Sequence, residues 1–373
     1  MNEQAYPYIT RKLQQAIENG STPGVALLVA RKGEVFYHYA VGQAQIYPEA
    51  RDLREDTVFD IASLTKVVAT TTAVMLLLRD KALALDEPIH KYVPEFPNEQ
   101  ITFIHLLTHS AGFPDHLPLY EDVQQEADRQ GSDFIGSPAA KQFVLAKVCH
   151  TDRLYPPGEQ YIYSDLGFML LGYALEKISG MTLDRYCAEM IFAPLGMSTT
   201  FFRKHGEALR AGEYAATERC EWRRRIICGE VHDENAYAMG GAAGHAGVFS
   251  TLDDIHQFMR MLYQCYQGKN DFIPEPIVRQ FFTRQHLPEN STRALGWDTP
   301  SEKDSSGGEL LSKTAVGHTG FTGTSIWFDL QRELVMLLFA NRIHPSRNNQ
   351  RFLKMRPKIH DTVLITVDNL TKA

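Results

Sequence analysis

Two rhythms of apolar residues run through this chain. An amphipathic stretch over residues 8–17 opens it, and the runs 24–31 and 34–41, both rich in β-formers, flank Lys32-Gly33 in the manner of a β-hairpin. From Ser63 to about Asp80 the spacing turns helical, and that helix begins at a serine. Helical patterns follow at 104–109, 138–149, 165–178, 183–190 and 252–266, with Gly and Pro marking the loops between them. Between 201 and 247 the periodicity is weak. This stretch reads as a loop wall ending in Gly240-Gly241-Ala242-Ala243-Gly244-His245-Ala246-Gly247, whose glycines would let backbone approach a ligand closely. Strand-like alternation returns at 324–329 and 333–341, and a helical pattern over 356–370 closes the chain.

Strands at both ends with helices between them predict an α/β fold, one sheet built from the two termini with a mainly helical lobe inserted in the middle. The expected division places residues 1–60 and 250–373 in a discontinuous sheet domain and 61–249 in the helical one, with a cleft between them. At 373 residues, 44% hydrophobic and 22% charged, the chain has the profile of a folded enzyme large enough to bury such a cleft. A net charge of -7 argues against nucleic acid or anionic lipid as the main partner, because either requires a dominant basic face. The short run Arg223-Arg224-Arg225 reads as a solvated loop. Cys149, Cys187, Cys220, Cys228 and Cys265 are odd in number, contain no closely spaced pair and read as free thiols. The N-terminus shows neither a basic n-region nor an apolar h-region, so a cytoplasmic location is expected; the most apolar stretch, 67–78, is too short and too threonine-rich to span a bilayer.

Three stretches carry candidate chemistry. Ser63-Leu64-Thr65-Lys66 puts a hydroxyl and an amine one helical turn apart on one face, and a serine becomes a nucleophile only when a neighbour takes its proton. Tyr163-Ser164-Asp165, preceded by the turn Tyr155-Pro156-Pro157-Gly158, would hold a phenol at a loop-to-helix junction, where a nearby ammonium lets it shuttle protons. In Gly317-His318-Thr319-Gly320-Phe321-Thr322-Gly323 the glycines at 320 and 323 would let a strand edge lie against a substrate and offer it backbone N–H groups.

Taken together and in this order, the three stretches resemble the β-lactamase and penicillin-binding-protein superfamily, most of all its class C-like branch, which also holds D-Ala carboxypeptidases and serine esterases. Residues 101–114, Pro194-Leu195-Gly196-Met197 and Gly247-Val248-Phe249-Ser250-Thr251 add to the likeness, which extends over about residues 20–345. It implies an antiparallel sheet flanked by helices and a serine hydrolase working through an acyl-enzyme. Ser63 would attack the carbonyl, Lys66 and Tyr163 would share the acid and base roles without the sequence deciding which is the base, and the N–H groups of Ser63 and Phe321 would form the oxyanion hole. His318, Thr319 and Gly320 would line the substrate. No metal or organic cofactor is implied; the implied partner is a small-molecule or peptide substrate, and the oligomeric state is left open.

Two departures from the family pattern bear on mechanism. Asp165 stands where Asn is common, and a carboxylate there would pair with Lys66 and hold it charged. His318 stands where many members carry Lys, and a mostly neutral imidazole attracts a substrate carboxylate less, which lowers the expectation of β-lactamase activity. Arg342 and Arg347 are the candidates for the missing clamp. His105 and His109, four apart, could face a metal from one helix, but without an adjacent Glu they read as packing and helix-end residues. Residues 231–236 and the glycines after them look most like muropeptide amidases and carboxypeptidase-like proteins. Amide hydrolysis on a peptidoglycan-derived fragment is the expected activity; the rivals are a carboxylesterase on short acyl esters, a weak β-lactamase and a receptor that is acylated without turnover.

Overall fold

The computed structural model describes residues 6–370. Among them, eleven strands form three sheets: β1 (Gly24–Arg31), β2 (Glu34–Gln45), β3 (Arg51–Asp52), β4 (Phe59–Asp60), β5 (Phe201–Phe202), β6 (Ala216–Cys220), β7 (Arg225–Cys228), β8 (Val248–Ser250), β9 (Val316–Thr319), β10 (Ser325–Asp329) and β11 (Leu334–Ala340). The main sheet is antiparallel in the order β3-β2-β1-β11-β10-β9, so the two ends of the chain meet at its centre, Val25 opposite Ala340 through to Arg31 opposite Leu334.

Both faces of this sheet are covered, which is why β1 and β11 read as unbroken apolar runs. Val25, Leu27 and Val29 point toward the helices Pro7–Glu18 and Arg351–Leu370, packing with Ile9, Leu13, Phe352 and Ile359, whereas Ala26, Leu28 and Ala30 point toward Ile255, Phe258 and Leu262 of the helix Leu252–Tyr266. Each large side chain fully buried in this way contributes roughly 1.5–3 kcal/mol. The closing helix starts at Arg351, five residues before the periodicity reveals it, and carries Pro357 inside.

The helices Pro138–His150 and Asp165–Ser179 lie within a residue of their expected positions. Two differ. The helix Phe103–Leu107 stops early because His109 turns into the left-handed region at φ 56°. The helix Leu183–Cys187 passes into a wide turn over Ala188–Phe192. Leu119–Gln130 is helical although the sequence gives little sign of it, since only Leu119, Val123 and Ala127, one narrow stripe, are buried. The weakly periodic stretch 201–247 contains the hairpin β6-β7 and a short helix, Glu234–Ala238, and its glycine-rich end is buried.

The stretch Ala62–Arg79 is long and apolar enough to cross a membrane by composition, but 83% of it is buried inside the protein, as a core helix is. It opens with a tight turn over Ala62–Leu64, widens over Lys66–Thr71 and becomes regular over Thr72–Arg79. The five cysteines are all free thiols.

Between the closing helix and the sheet, His360 is fully buried, with Nε2 3.3 Å from Ser325 Oγ. Burial, reinforced by the Arg356 charge, pushes its pKa down from 6.5 to about 3. Below pH 6.5 the unfolded chain binds a proton there that the folded chain refuses, so this contribution to stability is complete above 6.5 and is lost as pH falls toward 3. His360→Gln should flatten the fall in melting temperature between pH 6.5 and 4 relative to the parent; parallel curves in a thermal-melt series would count against this reading.

Candidate active site

The turn that carries Ser63 hangs on one buried acid. Asp60, at the end of β4, accepts from the Ala62 N–H through Oδ1 (2.8 Å) and from the His232 N–H through Oδ2 (2.7 Å). This holds Ala62 at φ 47°, a strained value for a residue with a Cβ, and sets Ser63 just beyond it. The turn after β9 is tied to the same segment: Thr322 Oγ1 donates to Asp60 O (2.8 Å) and Thr324 Oγ1 to Ile61 O (3.1 Å). Gly320 is required here, because a Cβ would stand 2.1 Å from Thr324 Oγ1 and 2.6 Å from Ile61 O. The Phe321 N–H, just after it, meets no acceptor among the described residues.

One turn along the helix, Lys66 has a fully buried side chain whose Nζ donates to Ser63 Oγ (2.8 Å), Asp165 Oδ1 (2.7 Å) and the His245 carbonyl (3.3 Å). An ammonium has three N–H bonds, and each has an acceptor. Burial alone would push Lys66 down, but the Asp165 carboxylate and the Tyr163 phenol outweigh it and hold the amine above its ordinary pKa. The Tyr163 ring centroid lies 4.9 Å from Nζ.

Tyr163 is fixed from behind. Ile162 N–H donates to His109 O (3.1 Å), Ser164 N–H to His109 Nδ1 (3.1 Å) and Ser164 Oγ to Pro114 O (2.6 Å), so the loop carrying the phenol is stitched to residues 109–114. The His109 ring packs 4.5 Å from the Tyr163 ring. Burial, with the Arg293 and Lys66 charges, pushes His109 well below its usual pKa, leaving a neutral ring. His105, four residues earlier, closes a capping box with Thr102, the helix-end role expected of it.

His318, on β9, is buried with its ring 6.0 Å from Tyr163 and its Nδ1 donating to Thr319 O (3.0 Å). Burial, then Arg293 and Lys66, hold it well below its usual pKa, so it carries no charge near neutrality. The second permanent cation beside Tyr163 is Arg293, buried, 5.4 Å from the ring centroid, donating through Nε (3.1 Å) and Nη2 (2.7 Å) to Tyr161 Oη. Sequence reasoning missed it, as Arg293 lies in a stretch with no periodicity and no motif. His245 was also missed as a neighbour of Lys66, although the glycines around it do mark a close backbone approach, of the His245 carbonyl to Lys66 and of Gly244 to the helix Asp165–Ser179.

The two arginines proposed as a clamp part company. Arg347 is bound to both Glu218, through Nε (2.6 Å) and Nη2, and Glu234, and so is not free to hold a substrate carboxylate. These two glutamates and Cys220 are close enough together to hold a metal ion, but the Arg347 guanidinium already supplies the cation between the carboxylates. Arg342 is only 2% exposed, lies 4.7 Å from the Phe321 ring centroid and donates to Asn349 O (3.1 Å). Beside it Arg356, 5% exposed, is pushed down to about 10 by burial and the Arg342 charge. Among the described residues neither guanidinium has a carboxylate partner, and the Nε of each is buried without an acceptor.

The Beta-lactamase family model matches residues 9–356. The chain belongs to the beta-lactamase family. It is a serine hydrolase of that family. Among curated relatives, a protein of Escherichia coli (strain K12) named "Putative D-alanyl-D-alanine carboxypeptidase" is 32% identical over 377 residues, covering 92% of this chain and 84% of that one. The octameric penicillin-binding protein homologue from Pyrococcus abyssi superposes with a TM-score of 0.72 at 20% identity over 96% of this chain and 77% of that one. EstCE1, a hydrolase with promiscuous acyltransferase activity, superposes at 0.70 with 21% identity over 95% and 98%. At these identities the superpositions establish the fold alone.

Removing the Asp165 charge removes the largest influence holding Lys66 protonated. Asp165→Asn should therefore move the alkaline limb of the kcat/KM–pH profile down by about one unit or more. A limb at the parental pH would show that the pair does not govern the charge of Lys66.

Proposed function

We propose that the protein hydrolyses an amide bond in peptidoglycan-derived peptides that end in a free carboxylate, through an acyl-enzyme on Ser63. The observation that carries this reading is a pair of buried guanidiniums without a carboxylate partner among the described residues, Arg342, 4.7 Å from the Phe321 ring centroid, and Arg356, which feels its charge. Two buried cations without an acid are costly, and an anionic substrate end supplies what they lack. The name borne by the curated relatives, a carboxypeptidase acting on D-alanyl-D-alanine, fits a substrate of that kind.

In this reading Lys66 stays charged, because all three of its N–H bonds are engaged, and Tyr163 is the base. Lys66 Nζ lies 4.9 Å and the Arg293 guanidinium carbon 5.4 Å from the centroid of the Tyr163 ring, so two cations stand beside the proposed base. It takes the Ser63 proton as Oγ attacks the carbonyl carbon. The oxygen of the tetrahedral intermediate is received by the N–H groups of Ser63 and Phe321. Tyr163 returns the proton to the leaving amine as the C–N bond breaks; a water, giving its proton to the same base, then attacks the acyl carbon, and the proton passes to Ser63 Oγ as the ester bond breaks and the acid leaves. Phe321, 45% exposed, presents its ring at the mouth of this path.

Intact mass after a serine-reactive fluorophosphonate should show one adduct, lost in Ser63→Ala. Steady-state turnover of an N-acetylmuramyl-peptide should exceed that of a p-nitrophenyl ester, and amidating the peptide terminus should raise KM. Arg356→Met should raise KM about tenfold for the free acid and leave the amidated peptide unchanged. An ester preference of orders of magnitude, or indifference to the terminal carboxylate, would end the peptide reading; stoichiometric labelling with no turnover of either substrate would favour a receptor.

A further inference from the structure

Lys66 takes its three acceptors from three parts of the chain, and the third is a main-chain oxygen on a loop that no catalytic motif contains. That loop is wedged between the Ser63 helix and the helix Asp165–Ser179. Gly244 O accepts from Thr70 Oγ1 (2.6 Å), and a Cβ on Gly244 would stand 2.0 Å from Phe168 O, so only glycine lets the backbone enter so deeply. The next residue, His245, turns its carbonyl to Lys66 Nζ and its imidazole the other way, where Nε2 meets Asp233 Oδ1 at 3.0 Å. His245 is 1% exposed, and its Nδ1 has no partner among the described residues, so the bond to Asp233 is its one polar anchor there.

Asp233 is itself fixed. It caps the helix Glu234–Ala238, accepting from the Ala236 N–H through the same Oδ1 at 2.7 Å. Next to it, the His232 N–H is held by Asp60, the carboxylate that shapes the nucleophile turn. A continuous path of bonds thus runs from the turn carrying Ser63, through Asp60, His232, Asp233 and His245, to the amine of Lys66.

We propose that Asp233 and His245 are positioning residues of the active site: their side-chain bond holds the His245 carbonyl against Lys66 and so keeps the third acceptor of its ammonium in place. The proposal rests on the reading of Lys66 as the charged partner of Ser63 at the pH of catalysis, which loses its proton only on the alkaline limb. The charged and titratable groups around the two ends are Asp165, Tyr163, His109 and His318 at Lys66, and Asp60 and His232 at Asp233. At the Asp233 end burial would raise the carboxyl, but His245, the Ala236 N–H and His232 outweigh it and hold the carboxylate ionised. Backbone carbonyls do not titrate. The device therefore acts on Lys66 only through distance, and a hydrogen bond to a charged donor is among those most sensitive to it.

Two variants separate this role from plain folding. His245→Phe keeps the ring and removes the bond to Asp233, while leaving no other partner of the imidazole unsatisfied. Asp233→Ser keeps a helix cap for Ala236 with a side chain too short to reach His245. Both should move the alkaline limb of kcat/KM down by about one pH unit and lower kcat about tenfold with KM little changed. Fluorophosphonate labelling of Ser63 at neutral pH should survive in both, more slowly. If both variants fold and their alkaline limbs stay at the parental pH, the inference is overturned whatever happens to kcat. If the parental enzyme itself is not labelled at Ser63, the hydrolase mechanism fails first, and the two failures are told apart by that control. Should His245→Phe not fold, Asp233→Ser alone decides.

Discussion

A single buried ammonium organises this molecule. Taking a lysine amine out of water costs several kcal/mol unless each of its N–H bonds finds an acceptor and a negative charge lies close by. Lys66 meets that requirement with Ser63 from its own helix, Asp165 from a helix about a hundred residues along the chain (a separation of 99) and the His245 carbonyl from a loop 179 residues away. None of the three helps without the others. The fold has to bring the Ser63 helix, the start of the helix Asp165–Ser179 and the glycine-rich loop to one point, and the sizes of Gly172 and Gly244, packed against each other with no room for a Cβ, follow from that demand.

The same demand explains which parts of the site the sequence discloses. Ser63 and Lys66 are legible because their relation is local, three residues on one helix. Tyr163 and Asp165 are legible because they sit at a turn before a helix start, where residue types carry positional meaning. Arg293 is not: its bond to Tyr161 spans 132 residues and lies in an aperiodic stretch. Arg347 illustrates the opposite error. From the sequence it looks like a free cation on a loop, because Glu218, which binds it, is 129 residues distant and belongs to a strand too short and too polar to be recognised. The polar helix Leu119–Gln130 is hidden for a related reason, as a helix that touches the core along one narrow stripe has almost no apolar period to display. The main sheet is the clearest of all, since strands buried on both faces must be apolar throughout.

Charge is distributed around the site by the same logic of long-range compensation. Placing a histidine at 318 leaves β9 without a charge of its own, and the surroundings make certain of that: burial, Arg293 and Lys66 all oppose its protonation. The positive field has moved to residues that cannot easily lose it. Arg293 stands beside Tyr163, where on the proposed mechanism it would bear on proton transfer, and Arg342, next to Phe321 and with Arg356 close enough to feel its charge, would bear on what binds. Even Arg356, whose pKa burial and Arg342 bring down to about 10, stays protonated throughout the physiological range.

This separation has a mechanistic consequence. Where one lysine next to the tyrosine both attracts the substrate anion and stabilises the base, binding and proton transfer titrate together. Here the cations that would receive a carboxylate and the cations beside Tyr163 are different groups. On the proposed mechanism, anion binding can then remain constant over the range of pH in which Lys66 loses its proton, so that KM and kcat would answer to different residues. Asp165 would reinforce the division, because by holding Lys66 charged it leaves the proton transfers of the proposed mechanism to Tyr163.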